Sequence, residues 1–253
     1  MTSTASDFPI QFPDKLPTLI DPCPIFETVL EVRYVTSEDW SEIPGLLYQF
    51  IREKYPNKKP LEIDQIPPEI RRTIPEFTYK PLRRFESEQF NLHIGPRVFS
   101  LLSKRKNYPG WTAIKDEFQW LLDCLDKTGI VVEGERLGLR YIDIFKENIF
   151  DIIQLDVGIQ GSPVTSSQLQ FVTEFNISPF QCRLLLNNGV NIKEGNEINK
   201  GSAFDLDIWL SADQFDLFNN GLDRFTEAHT LNKKIFFGLL QDDYLHQLNP
   251  QYL

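Results

Sequence analysis

Apolar and polar residues alternate in several short runs of this chain, which is the period of a half-buried β-strand. In residues 29–35, Leu30, Val32 and Tyr34 are separated by single charged residues. Similar patterns predict further strands over residues 85–92, 97–104, 136–144, 152–159, 169–177, 181–186 and 203–210. Both halves of the chain are therefore expected to be rich in strands.

A second set of segments has apolar residues at the three- and four-residue spacing of an amphipathic helix. The pattern is clearest over residues 111–127, which Gly129 is expected to end. A longer pattern predicts a final helix from about Ala212 to Leu240. A third helix is predicted to begin near Ser37 or Ser41 and to run to about Tyr55.

These elements predict an α+β fold in which mostly antiparallel sheets pack long amphipathic helices on one face. Residues 1–24 are aperiodic and predict an N-terminal arm. Residues 25–132 are expected to form a first α+β lobe, and residues 133–253 a second lobe that ends in the long helix. Residues 56–81 hold six prolines and predict a long loop, which is often functional or mobile.

The two lobes have a possible common origin in an internal duplication. Residues 30–35 (LEVRYV) align with residues 137–142 (LGLRYI) at an offset of 107, and the same offset carries Phe118 onto Phe225. Coincidence is the alternative, because short strand patterns recur easily and the helix near Ser41 has no predicted counterpart. The sequence leaves both interpretations open.

Composition is that of a globular protein with a core of its own, with 41% hydrophobic and 25% charged residues in 253 positions. Three widely spaced cysteines, Cys23, Cys124 and Cys182, predict neither a disulfide framework nor a CxxC metal site. The first residues lack a signal-peptide pattern, and no apolar run reaches about 18 residues. A cytoplasmic protein that does not associate with a membrane is expected.

Charge is distributed unevenly along the chain. The net charge is -10, yet residues 52–106 hold 13 Lys and Arg against 7 Asp and Glu. A polyanion is one partner that such a segment attracts. A solvated surface whose charges pair with acidic neighbours is the more ordinary explanation.

Two separated strings carry a resemblance to a known family. They are GPRVFSLLSKRKNYPGW, from Gly95 to Trp111, and ERLGLRYIDIF, from Glu135 to Phe145. In the pattern GPxxxSLxxxxxYPGW and in LGLRYI, the chain resembles a sporadically distributed bacterial family of conserved hypothetical proteins of about this length. The resemblance implies a shared architecture and a mobile gene, as defence or toxin-neutralising genes are. It implies no catalytic residue.

Motifs for common enzyme chemistry are absent from the sequence. It contains no GxxxxGK[ST], GxSxG, HExxH or strand-following GxGxxG pattern. Its three histidines, His93, His229 and His246, lie far apart and lack metal-ligand spacing. Asp205 and Asp207 share one face of a predicted strand, where an ion pair with arginine is favoured over a metal site. No catalytic residue, metal or cofactor is predicted.

Ligand-binding candidates are cations on rigid strands and aromatic residues near a turn. Arginines on strands suit bidentate recognition of phosphate or carboxylate, and the alternative for them is a salt bridge. Aromatic rings can stack on bases, and the alternative for them is packing over the start of the helix. The candidates are Arg33, Arg140, Tyr108, Trp111, Lys104, Arg105 and Lys106.

The sequence therefore favours a non-catalytic binding protein, such as an accessory, sensor or neutralising subunit of a bacterial defence or toxin-type system. Its partner is expected to be a protein encoded nearby. The alternative is an enzyme or sensor that acts on a nucleotide or nucleic acid through Arg33, Arg140 and the basic segment. The oligomeric state is left open.

Overall fold

The structure is a computed structural model, which describes residues 9–104, 107–164, 168–194 and 197–252. Eleven strands lie in the described residues. They are β1 (Ile25–Val35), β2 (Asn57–Pro60), β3 (Arg83–Glu86), β4 (Phe90–Gly95), β5 (Val98–Ser103), β6 (Glu133–Phe145), β7 (Gly158–Ile159), β8 (Ser162–Pro163), β9 (Gln170–Ile177), β10 (Phe180–Glu194) and β11 (Glu197–Ser211).

Six α-helices accompany these strands in the described part of the chain. They are α1 (Ile43–Ile51), α2 (Pro68–Thr73), α3 (Trp111–Thr128), α4 (Ile149–Ile152), α5 (Gly221–Leu239) and α6 (Asp242–Gln247). The registers of β1 with β5, β3 with β4, β4 with β5 and β9 with β10 are all antiparallel. The fold is therefore α+β with a large antiparallel sheet, as the sequence predicts. No helix in the described ranges is long and apolar enough to cross a membrane.

The chain forms two compact units, each built from separate segments. One comprises Glu27–Leu139 with Trp209–Glu227, and the other comprises Met1–Phe26, Arg140–Ile208 and Ala228–Leu253. Strands β6 and β11 and helix α5 contribute residues to both. The sequence predicted contiguous lobes, whereas these units are discontinuous along the chain.

The first unit contains strands in the order β2-β3-β4-β5-β1-β6. The alternation predicted for β1 is confirmed, since Leu30, Val32 and Tyr34 are fully buried on the core side of the strand. Strands β4 and β5 form a hairpin in which Gly95 pairs with Val98. A Cβ at Gly95 would collide with the backbone carbonyl of Lys80, which explains a glycine in this motif.

Helix α3 agrees closely with its prediction. It buries one apolar stripe, and the ring of Phe118 packs edge-on against Phe225 with the ring centroids 4.8 Å apart. Gly129 ends the helix in the left-handed conformation, with φ of 67°. The spacing of apolar residues was sufficient to predict this helix because one long face of it packs against the core.

Local polar contacts explain why the predicted bounds of one helix and two strands are wrong. The final helix does not begin near Ala212, because Asp216 accepts hydrogen bonds from the backbone of Phe218 and Asn219 in a turn that delays α5. Residues 152–159 are not one continuous strand: Ile152 ends the short helix α4, which Asn148 caps by accepting from Phe150 N, and only Gly158–Ile159 form a strand, β7. Ser87 likewise bonds Phe90 N and breaks the strand predicted over residues 85–92.

Two further segments also differ from the sequence interpretation. The helix predicted from Ser37 or Ser41 to Tyr55 is the shorter α1, which begins after Glu42 without a side-chain cap. The proline-rich stretch 56–81 contains β2, α2 and two 3₁₀ turns rather than one open loop. Prolines at the first turn of a helix and on a strand edge are compatible with this structure.

The second unit contains strands in the order β6-β11-β10-β9, and β7 and β8 pair with each other in a separate two-stranded sheet. Leu184, Leu186, Phe204 and Leu206 lie in its core. The described part of the N-terminal arm is tied to this unit. The Thr18 N–H donates to the Gln251 carbonyl at 2.7 Å.

Candidate functional site

Arg33 lies on the side of β1 opposite its buried residues, as the alternation predicts. Its Nε donates to Glu31 Oε1 at 2.8 Å, and its guanidinium lies 4.7 Å from the centroid of the Tyr79 ring. About a third of the side chain is exposed. The charge of Arg33 is therefore already matched by a carboxylate and by an aromatic face.

Two further arginines in the same unit extend this arrangement. Arg136 donates to Glu31 Oε1 at 3.1 Å and lies over the ring of Trp209. Arg97 forms a salt bridge with Glu135, and its guanidinium also lies over Tyr79. No local sequence signal marks these groups, since pairing between strands distant in sequence brings them together. Three arginines and two glutamates make this surface nearly charge-balanced.

Arg140 forms a bidentate ion pair with Asp205. Its Nε and Nη2 donate to the two carboxylate oxygens at 2.7 and 2.5 Å. This is the fork geometry that a phosphate or carboxylate ligand requires from arginine. The sequence left Arg140 with two roles, a ligand site or a salt bridge, and the pair with Asp205 is the salt bridge.

Of the remaining predicted ligand-binding residues, the described ones are Lys104, Tyr108 and Trp111. Lys104 follows β5 and lies near Glu86. The pKa of Glu86 is lowered chiefly by its hydrogen bond with Lys59, and also by the charges of Arg84 and Lys104. Arg105 and Lys106 lie outside the described residues. Tyr108 and Trp111 are half-buried at the start of α3.

Other cations of the basic segment also pair within the chain. Arg83 bonds Asp64 at 3.0 Å, Lys59 contacts Glu86 at 3.2 Å, and Lys54 contacts the buried Glu117. This pattern favours the interpretation of the segment as a surface that pairs with acidic neighbours.

Two buried titratable groups stand out in the second unit. Burial, aided by the charge of Asp205, raises the pKa of Asp143 to about 8. Burial and the charge of Lys233 lower the pKa of His229 to about 3, so this imidazole is neutral at physiological pH. Its Nδ1 lies 2.9 Å from the hydroxyl of Tyr141, which fits a core histidine with a satisfied hydrogen bond.

A small cavity of about 260 Å³ opens in the second unit. It is lined by Lys146, Gln168, Asn188, Gly189, Lys200 and Gly201. Ammonium and amide groups suit a small anion more than an apolar ligand. In the described ranges, no group of three or more His, Cys, Asp and Glu side chains is arranged to hold a metal ion.

The outer edge of β9 is an open hydrogen-bonding surface in the described part of the chain. β9 ends its sheet, and this edge pairs with no strand in the part of the chain that the structure describes. On the inner side, Phe171 pairs with Leu186 and Phe175 with Cys182 of β10. The Asn188 N–H donates to the Leu169 carbonyl at 2.9 Å, which makes the odd-numbered residues of β9 the ones hydrogen-bonded to β10.

The even-numbered residues of β9 therefore direct their backbone N–H and C=O groups away from β10. These four residues are Gln170, Val172, Glu174 and Asn176, and all are exposed. Val172 is an apolar residue with 45% of its surface exposed. Alternation in the sequence predicted a strand here, but no sequence signal showed that it lies at the edge of the sheet.

No model of a known protein family matches the chain, and no curated protein matches its sequence at a significant level. The family resemblance of residues 95–111 and 135–145 therefore stays a prediction.

Proposed function

We propose that this chain is a non-catalytic interaction protein that binds a partner protein by strand addition at β9. The observation that carries the proposal is the outer edge of β9, which pairs with no strand among the described residues and along which four successive even-numbered residues direct backbone donors and acceptors outward. An extended peptide gains affinity at such an edge from main-chain hydrogen bonds, and specificity from alternate side chains.

The strand at the other end of the order provides a contrast that supports this proposal. β2 is only four residues long and carries Lys58, Lys59 and Pro60. Short length, lysine and proline protect a sheet edge from unwanted pairing. β9 has eight residues and contains neither lysine nor proline.

The alternative function, action on a nucleotide or nucleic acid, receives less support. Arg33 and Arg140 are its main candidates, and both are paired with carboxylates of the same chain. A phosphate that used the Nε–Nη2 fork of Arg140 would have to displace Asp205, and the carboxylate would then lose this ion pair.

We also propose that the two halves of the chain arose by duplication. The order of elements supports this origin. Each half contains a first strand, a helix, three later successive strands and a long helix: β1, α1, β3 to β5 and α3, then β6, α4, β9 to β11 and α5. Different elements stand between the first helix and the three strands, β2 and α2 in the first half and β7 and β8 in the second. The strand orders β3-β4-β5-β1 and β9-β10-β11-β6 correspond. Helix α4 is then the counterpart that the sequence did not reveal.

The biological role that fits these proposals is that of an accessory, sensor or neutralising subunit in the cytoplasm, encoded beside its partner. This role rests on the family resemblance and on the open edge together. Copurification with the products of neighbouring genes identifies the natural partner.

The direct test uses random peptides displayed on phage and selected on the purified protein. We expect enriched peptides to have extended, alternating apolar patterns and to lose binding to Val172→Pro, which removes an outward N–H. Gln170→Pro, at the first position of β9, is a second variant less prone to disturb the fold. Val172→Thr keeps the N–H and is the matched control. Enriched peptides that bind both proline variants normally would refute strand addition at β9.

A further inference from the structure

The chain contains its own example of a strand added to a corresponding edge. β2 pairs antiparallel with the outer edge of β3, with Lys58 opposite Phe85 and Lys59 opposite Arg84. The ammonium group of Lys59 lies diagonally across from Glu86 of β3 and contacts its carboxylate at 3.2 Å. A short basic strand therefore covers an edge that carries a half-buried carboxylate.

In the proposed duplication, β9 occupies the same position as β3. Each is the first of three successive strands and lies furthest from the first strand of its half. The chain between α4 and β9 corresponds to the part that supplies β2, but its described strands β7 and β8 pair with each other instead. The outer edge of β9 thus lacks a counterpart of β2 in the described ranges.

Glu174 gives the β9 edge the chemistry of the β3 edge. It is an outward-directed position, and 68% of its side chain is exposed. Arg183 of β10 approaches its carboxylate only to 3.7 Å, a weak contact that leaves oxygen lone pairs available for another donor. The net charge of -10 also attracts a cationic partner and disfavours a second copy of this chain.

We infer that the occupant of the β9 edge is an extended basic segment of the partner protein, which binds as β2 binds to β3. This inference rests on the proposed function. Lysine or arginine of the segment lies beside Glu174, and its main chain bonds the outward N–H and C=O groups of β9. Apolar residues at the alternate positions contact the side of β9 that carries Phe171 and Phe175, of which Phe175 is buried.

The test compares two peptides of about ten residues, one alternating lysine with valine and one alternating glutamate with valine. Their binding to the full chain is measured by fluorescence anisotropy. We expect the lysine peptide to bind at least about tenfold more tightly, and Glu174→Lys to abolish or reverse this preference. Glu53→Lys makes the same charge change at an exposed position outside the strands, and it should leave the preference nearly intact.

The outcomes separate this inference from the proposed function. If Val172→Pro and Gln170→Pro weaken both peptides while Glu174→Lys changes nothing, strand addition stands and the basic occupant is wrong. If the lysine peptide binds equally well to the proline variants, the binding site is not β9 and both proposals fail. A concentration-dependent dimer that the proline variants dissolve would identify a second copy as the occupant, and absence of binding by either peptide also overturns the inference.

Discussion

Asp143 is expected to make the stability of this protein fall as the pH rises. It lies on the core side of β6 between Tyr141 and Phe145, and only 3% of its surface is exposed. Burial first, and the nearby charge of Asp205 second, raise its pKa to about 8. An aspartate in an unfolded chain has a pKa of about 3.9.

The direction of this pH dependence of stability follows from the protons that the folded and unfolded chains bind. Between the two pKa values the unfolded chain has lost the proton of Asp143, whereas the folded chain still holds it. Folding must therefore take up a proton, which costs about 1.4 kcal/mol for each pH unit in this window. The contribution is fully favourable below about pH 4, and it is lost as the pH approaches 8.

Replacing Asp143 with an amide removes this titration. We expect Asp143→Asn to gain about 4 kcal/mol in unfolding free energy relative to wild type when the pH rises from about 4.5 to about 8. Urea unfolding of both proteins at several pH values measures the difference. Any pH-independent change from the amide's own hydrogen bonds cancels in this comparison. Asp126→Asn, on the exposed face of α3, is the matched control and should show little change.

The raised pKa of Asp143 is refuted if Asp143→Asn and wild type lose stability in parallel over this pH range. A parallel loss would mean that Asp143 ionises in the folded protein as easily as in the unfolded chain.

Two other sets of substitutions test the packing and the ion pair. Val32→Ala and Leu139→Ala each remove a fully buried side chain, and each should lower the unfolding free energy by about 1 to 4 kcal/mol, as measured by denaturant titration. Changes under about 0.5 kcal/mol would contradict their core position. A double-mutant cycle of Arg140→Ala and Asp205→Ala should give a coupling of about 1 kcal/mol that weakens as salt is added. A coupling of zero in low salt would show that the bidentate geometry does not persist in solution.

The sequence predicted those parts of the fold that depend on one periodic face. Helix α3 and strand β1 agree closely because each has a continuous apolar stripe and a clear end. The start of α5 and the identity of α4 were missed, because single side chains of Asp216 and Asn148 redirect the backbone there. Such contacts depend on local geometry that periodicity does not encode.

The candidate site was less predictable for a different reason. Arg33 and Arg140 have the expected orientation, yet the residues that neutralise them were not all identified. Glu31 lies beside Arg33 on the same strand, whereas Tyr79 reaches it from the proline-rich segment. The exposed edge of β9 depends on strand order, which is a property of the whole sheet. A single sequence contains no local signal for it.

The discontinuous first unit has a consequence for synthesis on the ribosome. Residues Glu27–Leu139 leave the ribosome well before Trp209–Glu227, which belong to the same compact unit. At 5–20 residues per second, the intervening chain takes roughly several seconds to make. During this interval Phe118 has no contact with Phe225, and the apolar stripe of α3 is incompletely covered. A nascent chain paused in this interval is therefore a substrate for chaperones that recognise exposed apolar surface.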